Sequence, residues 1–535
     1  MRRWWAWRFL ALHLCWMGAV ALWLWPQGRL SAWGVPLFSG LFVLGLVDLW
    51  QPYHAVRRNY PILGHLRFLL ETIRPEIRQY FLEDDITPTP FSRTMRAIAY
   101  QRAKQQTDKR PFGTRMDVYA PGYEWLNHAM VPADRPDPDF RVQVGNGRAQ
   151  PCDLSVFNIS AMSFGALSGK AIEALNLGAR QGGFAHDTGE GSISSHHRRH
   201  GGDLIWNIGS GYFGCRTADG RFDPERFVRA ASDPQVRLIE IKLSQGAKPG
   251  HGGVLPAGKV TPEIARARGV PLGVDCVSPA AHSAFGNPME LLSWLDTLSR
   301  LSGGKPVGIK LCVGHPWEWF ALVKAMHETG LVPDFVVVDG AEGGTGAAPL
   351  EFTDHVGMPL QEGLRLVHNA LRGMGLRERV RLGASGKVIT AFDIVRTLAL
   401  GADWCNAARG FMFALGCIQS QTCHTGQCPT GITTQDPLRQ RALVVPDRAQ
   451  RVANYHRHTL EALAELTAAA GVSHPCRIGK AFLMRRLETG EVASFAELLP
   501  DLEPGVLLRP GAAASLPEPF RAYWDAARPD RWRLS

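Results

Sequence analysis

The sequence predicts an α/β chain, a (β/α)8 TIM barrel preceded by a two-span transmembrane hairpin and flanked by helical segments. Three observations predict it. Between residues 150 and 410, eight β-rich runs bounded by turn residues are mostly followed by amphipathic segments, the alternation of a closed parallel sheet inside a ring of helices. The chemistry-bearing stretches at residues 162–163, 188–190, 245–248, 343–344 and 385–386, with Lys310 and Arg409, all lie at or just past the C-ends of those runs, which is the active face of such a barrel. The first 50 residues are apolar in a way nothing downstream repeats.

That N-terminal stretch comes first. Residues 4–25 are uncharged except for Arg8, and residues 30–47 carry no charge; each approaches the roughly 20 residues that span a bilayer. Eight of the sixteen tryptophans lie within the first 50 residues, mostly near the expected interfaces, where amphipathic rings settle. Arg2, Arg3 and Arg8 precede the first span and Arg57 and Arg58 follow the second, while the turn carries only Arg29. Both ends, and the catalytic domain, are therefore expected on the cytoplasmic side of the membrane. A cleaved signal peptide is the alternative, disfavoured by the second apolar stretch and the lack of a small-x-small site. Residues 51–145 read as a helical connector, interrupted at Pro75.

The predicted strands are VFNISAM from Val156, GFAHDT from Gly183, RLIEIKLS from Arg237, PLGVDCVS from Pro271, PVGIKLCV from Pro306, DFVVVDGA from Asp334, RVRLGAS from Arg379 and DWCNAAR from Asp403. Segments such as ALSGKAIEALNLGARQ and WEWFALVKAMHETG carry apolar residues three and four apart, as outer-ring helices do. An open doubly wound sheet is the alternative. The barrel domain is expected over residues 146–440, with a helical cover over 441–535. At 535 residues the chain has room for one large core and two flanks. Its net charge of +10 is spread without a basic run or interleaved aromatic array, which argues against nucleic acid and for a phosphate-bearing cofactor or an anionic membrane face. HHRRH at residues 196–200 reads as a solvated or anion-facing loop.

The ten cysteines show no paired framework, so a reducing compartment is expected. Three of them, Cys417, Cys423 and Cys428, fall in GCIQSQTCHTGQCPTG. Three thiolates suit an iron–sulfur cluster. Zinc in a Cys3His site through His424 competes, but ligation by adjacent residues is strained; unliganded cysteines are the third reading. The other seven read as buried small hydrophobes.

Several strings resemble the FMN-binding synthase domain of glutamate synthase: SAMSFGALS, DTGEG, QGAKPGHGG, GGTGAAPLEF and GADWCNAARGFMFALGCIQSQTCHTGQCPTGITTQDP, over roughly residues 150–440. Where that family carries a glutaminase domain, this chain carries the membrane hairpin, as in the smaller stand-alone, membrane-linked members. The resemblance implies noncovalent FMN and a [3Fe-4S] cluster on Cys417, Cys423 and Cys428. It implies that Ser160, Ala161, Met162 and Ser163 line the flavin and that Lys310 faces its N1–O2 edge. Gly343, Gly344, Thr345, Ser385, Gly386, Asn406, Ala407 and Ala408 would cradle the phosphate. Gln245, Lys248 and Arg268 match substrate-holding positions, and Glu190 matches a glutamate near the flavin with a proton-handling or ammonia-orienting role; Glu190 and Lys248 are the catalytic candidates. Departures stand at ASGK over residues 384–387, at Glu342 in place of an aspartate, at His251 in place of a glutamate and at Val254 in place of a glutamine.

The expected activity is thus a glutamate-synthase-like reductive amination of 2-oxoglutarate, with reducing equivalents passing from the cluster to the flavin to the imine. The expected partners are a 2-oxo acid, ammonia or an amine, the membrane and an electron donor the sequence does not name. Action on another 2-oxo acid or amine, and a non-catalytic electron-relay subunit, are the alternatives.

Overall fold

A computed structural model describes residues 9–25, 29–86, 90–518 and 520–534. The chain divides into two compact units, Met1–Asp85 and Ile86–Ser535.

In the first unit, apolar helices Leu10–Leu24 and Arg29–Trp50 pack on each other. Small residues make the approach possible: a Cβ at Gly18 would lie 3.2 Å from the Phe38 ring, and one at Gly45 only 2.5 Å from Leu12. One helix, over Ala32–Trp50, is long and apolar enough to cross a membrane. The other, at 15 residues, falls short of the roughly 20 that a span needs, so the described residues contain one full-length candidate where the sequence predicts two. Its expected first residues, with Arg2, Arg3, Arg8, Trp4, Trp5 and Trp7, lie outside the described residues. Asp48, near the end of the longer helix, is buried and accepts from His65 (2.8 Å) and the Ile62 N–H (3.0 Å), tying the helix to Leu63–Ile77.

The second unit is built on a closed parallel barrel. Its strands are β1 (Phe157–Ile159), β2 (His186–Asp187), β3 (Leu204–Ile208), β4 (Val236–Lys242), β5 (Val307–Leu311), β6 (Phe335–Asp339), β7 (Arg381–Ser385) and β8 (Trp404–Ala407). β-Branched runs such as Phe335–Asp339 are buried through most of their length, as strands covered on both faces must be. The helices between them start on Pro at the first turn behind Asp223, Thr261 and Asn287, each of which accepts from a first-turn N–H.

Seven of the eight predicted strands contribute to this barrel, and one does not. PLGVDCVS is not a barrel strand: residues 271–275 are exposed, and Cys276–Val277 pairs antiparallel with Val254–Leu255 inside the long excursion between β4 and the helix Pro288–Leu301. The missing place is taken by β3, buried at every position. The polar HHRRHGG before it disguises its start, while the apolar letters of PLGVDCVS imitate a strand.

The barrel interior is stratified. Below, the hairpin Arg141–Val144 with Cys152–Ser155 closes the floor by packing Val144 and Leu154 against Ile205, Leu238, Val337 and Trp404. Above, the inward positions turn polar, with buried Asn158, Asp187, Asn207, Glu240, Lys310 and Asn406. The helix Val445–Ala469 lies on Gly169–Gly182 so closely that a Cβ at Gly178 would come within 2.7 Å of the Ala449 carbonyl oxygen. The flanks are not helical alone: Glu124–Leu126 joins Leu483–Arg486 and Val492–Ser494 in an antiparallel sheet, with Glu124 bound to Arg485 (2.6 Å) and Arg396 (3.1 Å). Cys476 is exposed, while the other six cysteines outside the 417–428 loop are buried.

Candidate active site

The C-terminal mouth of the barrel holds a cavity of about 480 Å³. Ser160, Ala161, Met162, Ser163, Glu190, Gln245, Lys248, Arg268, Lys310, Gly343, Gly344, Thr345, Ser385, Gly386, Asn406, Ala407 and Ala408 all line it, and so does Cys423; Cys417 and Cys428 do not.

Strand register explains the deepest part. Lys310 on β5 stands opposite Lys242 on β4, Glu240 opposite Asn207 on β3, and Asp339 on β6 opposite Ser385 on β7. Lys310 is 4% exposed, with its ammonium 3.9 Å from Asp339. Asp339 also accepts from the Gly246 N–H (2.8 Å) and from the Ser385 hydroxyl. Burial weakens the Lys310 charge, yet Asp339, Glu240 and Asp187 together raise its pKa above the ordinary lysine value. Burial, opposed by Lys310, raises Asp187, and burial together with Asp187 drives Glu240 much higher. Burial thus favours the neutral form of both carboxyls. Sequence reasoning missed Asp187, Asn207, Glu240, Lys242 and Asp339. The signal was present in IEIKLS: Glu240 and Lys242, two apart near a strand end, must point into the same interior.

Higher up, Glu190 pairs with Lys242 at 3.1 Å. Burial opposes its charge, but Lys242, then Arg268 and Lys248, hold its carboxyl below the usual range, so it is a fixed anion. Lys248, 3% exposed, donates to the Gly252 carbonyl (3.1 Å); burial lowers its pKa and Glu190 works the other way. Arg268 donates to the Phe164 carbonyl (2.9 Å) and lies over the Phe213 ring, while its buried Nε finds no acceptor among the described residues. His282 binds the Lys242 carbonyl (2.9 Å), and burial pushes its pKa down to about 4.

The departures also find places. Glu342 accepts from the Leu360 N–H at 3.0 Å and braces the loop after β6. His251 turns back to the Gly252 carbonyl (2.8 Å). Val254 lines the cavity and is 38% exposed. His197 of HHRRH is buried and His196 bonds Glu173 (2.7 Å), so that string is a short capped helix in part built into the barrel wall.

The residues fit a flavin phosphate at the mouth: a Cβ at Gly343 would meet nothing nearer than 3.5 Å, and at Gly344 nothing nearer than 3.8 Å, leaving room for close backbone approach. The cysteine loop borders this space, because a Cβ at Gly346 would lie 3.1 Å from the Cys423 Cβ. Burial raises the Cys428 thiol, but hydrogen bonds with Thr430 and Thr433 bring it down to about 7. Burial lifts Cys417, and Cys423 and Cys428 are near enough to lift it further. Among the described residues no three His, Cys, Asp or Glu side chains stand close enough to hold a metal ion, Cys417, Cys423 and Cys428 with His424 included. The Tyr100 hydroxyl anchors the loop through the Cys417 carbonyl (2.6 Å).

A closed parallel barrel with a charged, largely buried cavity at its C-terminal mouth defines an enzyme of the (β/α)8 class. Residues 148–473 match the family model for the conserved region in glutamate synthase. The chain is 37% identical over 507 residues to the glutamate synthase large subunit-like protein YerD of Bacillus subtilis, covering 87% of this chain and 95% of that one. It is 35% identical over 315 residues to the archaeal-type glutamate synthase [NADPH] of Thermotoga neapolitana, covering 59% of each chain. Against the archaeal glutamate synthase [NADPH] of Methanocaldococcus jannaschii the figures are 36% over 316 residues, again 59% of each. The chain belongs to the glutamate synthase family. It spans nearly all of the first relative and about three fifths of the other two.

Proposed function

We propose that the chain is a membrane-tethered oxidoreductase of the glutamate synthase type that uses FMN and an iron–sulfur cluster to aminate 2-oxoglutarate reductively to glutamate. The observation that carries the reading is one cavity holding an anion, Glu190, among Lys242, Lys248 and Arg268, with Lys310 fixed beneath them. A dicarboxylate needs paired cations, and Lys248 with Arg268 supplies a point charge and a planar fork. Glu190, held ionised, is suited to orient an ammonium ion; it is a poor acid. Lys310 places a permanent positive charge where negative charge accumulates during reduction. FMN, cradled by residues 343–345, 385–386 and 406–408, would supply two-electron chemistry at the imine carbon, and a cluster on Cys417, Cys423 and Cys428 would supply single electrons. Membrane tethering rests on the apolar Ala32–Trp50 helix, whose Trp33, Leu37 and Val47 are exposed; were Leu10–Leu24 to cross as well, the arginines before the first span and after the second would put the catalytic domain on the cytoplasmic side.

A second reading, action on a different 2-oxo acid, is favoured by Val254 at the cavity wall and by His251 turning away to its own loop. Anaerobic purification followed by a keto-acid panel separates the readings. FMN, with iron and sulfide that disappear in Cys417→Ser, Cys423→Ser and Cys428→Ser, together with reoxidation by 2-oxoglutarate and ammonia, supports the first. Reoxidation only by another keto acid supports the second. FAD, full iron retention in all three variants, or no reoxidation by any keto acid rejects the cofactor or catalytic assignment, the last leaving an electron-relay subunit.

A further inference from the structure

A second cavity, about 360 Å³, lies behind Arg268. It is lined by Arg198, Arg216, Arg226, Arg266 and Arg268, with Glu263 the one carboxylate among its described lining residues. Two of these arginines are neutralised: Arg198 by Asp233 (2.9 Å) and Arg226 by Asp223 (3.3 Å). Glu263 is already engaged by Ser195 (2.8 Å) and His196 (3.0 Å). Among the described residues Arg216, Arg266 and Arg268 make no ion pair within salt-bridge distance, although Arg268 lies near enough to Glu190 in the first cavity to help hold that carboxyl ionised, and the buried Nε atoms of Arg216 and Arg268 find no acceptor among those residues. Arg268 is 5% exposed and lines this cavity and the substrate cavity alike.

Three guanidinium groups with no anion between them inside one pocket disfavour each other, and a buried donor without an acceptor is costly. We propose that this cavity binds the phosphate group of a small anionic effector and that its occupancy is felt at the substrate cavity through Arg268. Phosphate fits the donor set better than a dicarboxylate does. It concentrates two charges and several acceptor oxygens at one point, where forks arriving from different elements can each make paired hydrogen bonds. The volume leaves space for a small organic group beyond the phosphate. A bound phosphate competes for Arg268 with the substrate carboxylate, so the effector weakens substrate binding without touching the floor of the active site. That coupling rests on Arg268 as a substrate partner in the proposed reaction; binding in the second cavity does not.

The test uses the full-length holoprotein at constant ionic strength, titrated with inorganic phosphate against a chloride control and followed by ³¹P line broadening and thermal shift. Saturable binding to the wild type, weakened about tenfold or more in Arg266→Gln, supports the site; Arg266 is exposed, so this variant should fold normally. Arg216→Gln should behave likewise, with its thermal stability measured alongside. No saturable binding, or equal binding in Arg266→Gln, overturns the site. Succinate binding in place of phosphate overturns the phosphate assignment. In turnover assays bound phosphate should raise the keto-acid KM severalfold with kcat unchanged, and lose that effect in Arg266→Gln; phosphate binding with an unmoved KM keeps the site and overturns its coupling to Arg268.

Discussion

The floor and the rim of the active-site cavity are built by different means. On the floor, Lys310, Glu240 and Asp339 project from strands whose register sets their neighbours. At the rim, Lys248 and Arg268 come from the excursion after β4 and Cys423 from the loop after β8; Lys248 is held by one hydrogen bond to the Gly252 carbonyl, and Arg268, at the end of the helix Pro262–Arg268, by the Phe164 carbonyl, the Cys276 sulfur and the Phe213 ring. A charge on a central strand is positioned by the whole ladder, whereas a charge on a loop is only as fixed as its own contacts. The floor is thus suited to holding charge rigidly beneath the reacting atoms, and the rim to choosing the substrate.

The largest effect should come from removing the floor's cation. Lys310→Met leaves Asp187, Glu240 and Asp339 buried without it. Breaking a buried pair this way costs about 3–5 kcal/mol, to be read as a lower urea midpoint, and the reduction potential of bound flavin should fall. Adding Asp339→Asn should return part of the stability while the potential stays low. Wild-type stability in Lys310→Met would show that the floor is not an electrostatic unit.

At the rim, Arg268→Ala should cost about 2–5 kcal/mol in transition-state binding of a dicarboxylic substrate, on the order of 30-fold to several thousandfold in kcat/KM. Lys248→Ala should lose less, because a point charge is replaced by water more easily than a fork. Both are read by anaerobic reoxidation with 2-oxoglutarate and ammonia. Unchanged turnover in both variants removes these residues from substrate binding.

The same division governs what was legible in the sequence. The eightfold alternation, the turns at residues 343–345 and 385–386, and Lys310 could be placed because strand ends announce themselves through β-branched runs followed by glycine. The excursion after β4 could not, since PLGVDCVS has a strand's letters and none of a strand's neighbours. Buried β3 was hidden behind a polar string. The floor carboxyls were overlooked because an acidic residue inside a hydrophobic run looks like an interruption until the closed barrel shows Glu240 facing Asp187 and Lys310. Five arginines drawn from four separate segments meet only in three dimensions.

Scaffold and floor also respond oppositely to acid. Burial holds His186 and His456 at about 3 and His282 at about 4, below the value near 6.5 of an unfolded histidine. The unfolded chain therefore binds more protons as pH falls below about 6.5, and each such histidine withdraws about 1.4 kcal/mol of stability per pH unit. Asp187 and Glu240, raised in the fold, act in the other direction, because there the native state holds the extra proton. Below about pH 6, where most unfolded histidine is protonated, the three buried histidines should win, and the melting temperature should fall from about pH 6 to about pH 5. A melting temperature that holds or rises over this range would mean that the floor carboxyls dominate.

The smallest expected effect is the sharpest test of what the rim does. Val254 sits on the wall of the substrate cavity beside Lys248 and Leu255, where the resemblance to glutamate synthase calls for a glutamine. Its side chain is 38% exposed, so Val254→Gln can place its amide toward the cavity without burying an unpaired polar group, and stability should change little. One added hydrogen bond to substrate contributes about 0.5–1.5 kcal/mol, which converts to roughly 2- to 12-fold in kcat/KM. If the chain already uses 2-oxoglutarate, Val254→Gln should raise kcat/KM for it within that range and leave monocarboxylic 2-oxo acids unaffected. If the wild type prefers another keto acid, the substitution should move preference toward 2-oxoglutarate while the flavin potential, set by the floor, stays where it was. A shift in potential on changing Val254 would mean that floor and rim are not separable, and the comparison would have to be abandoned.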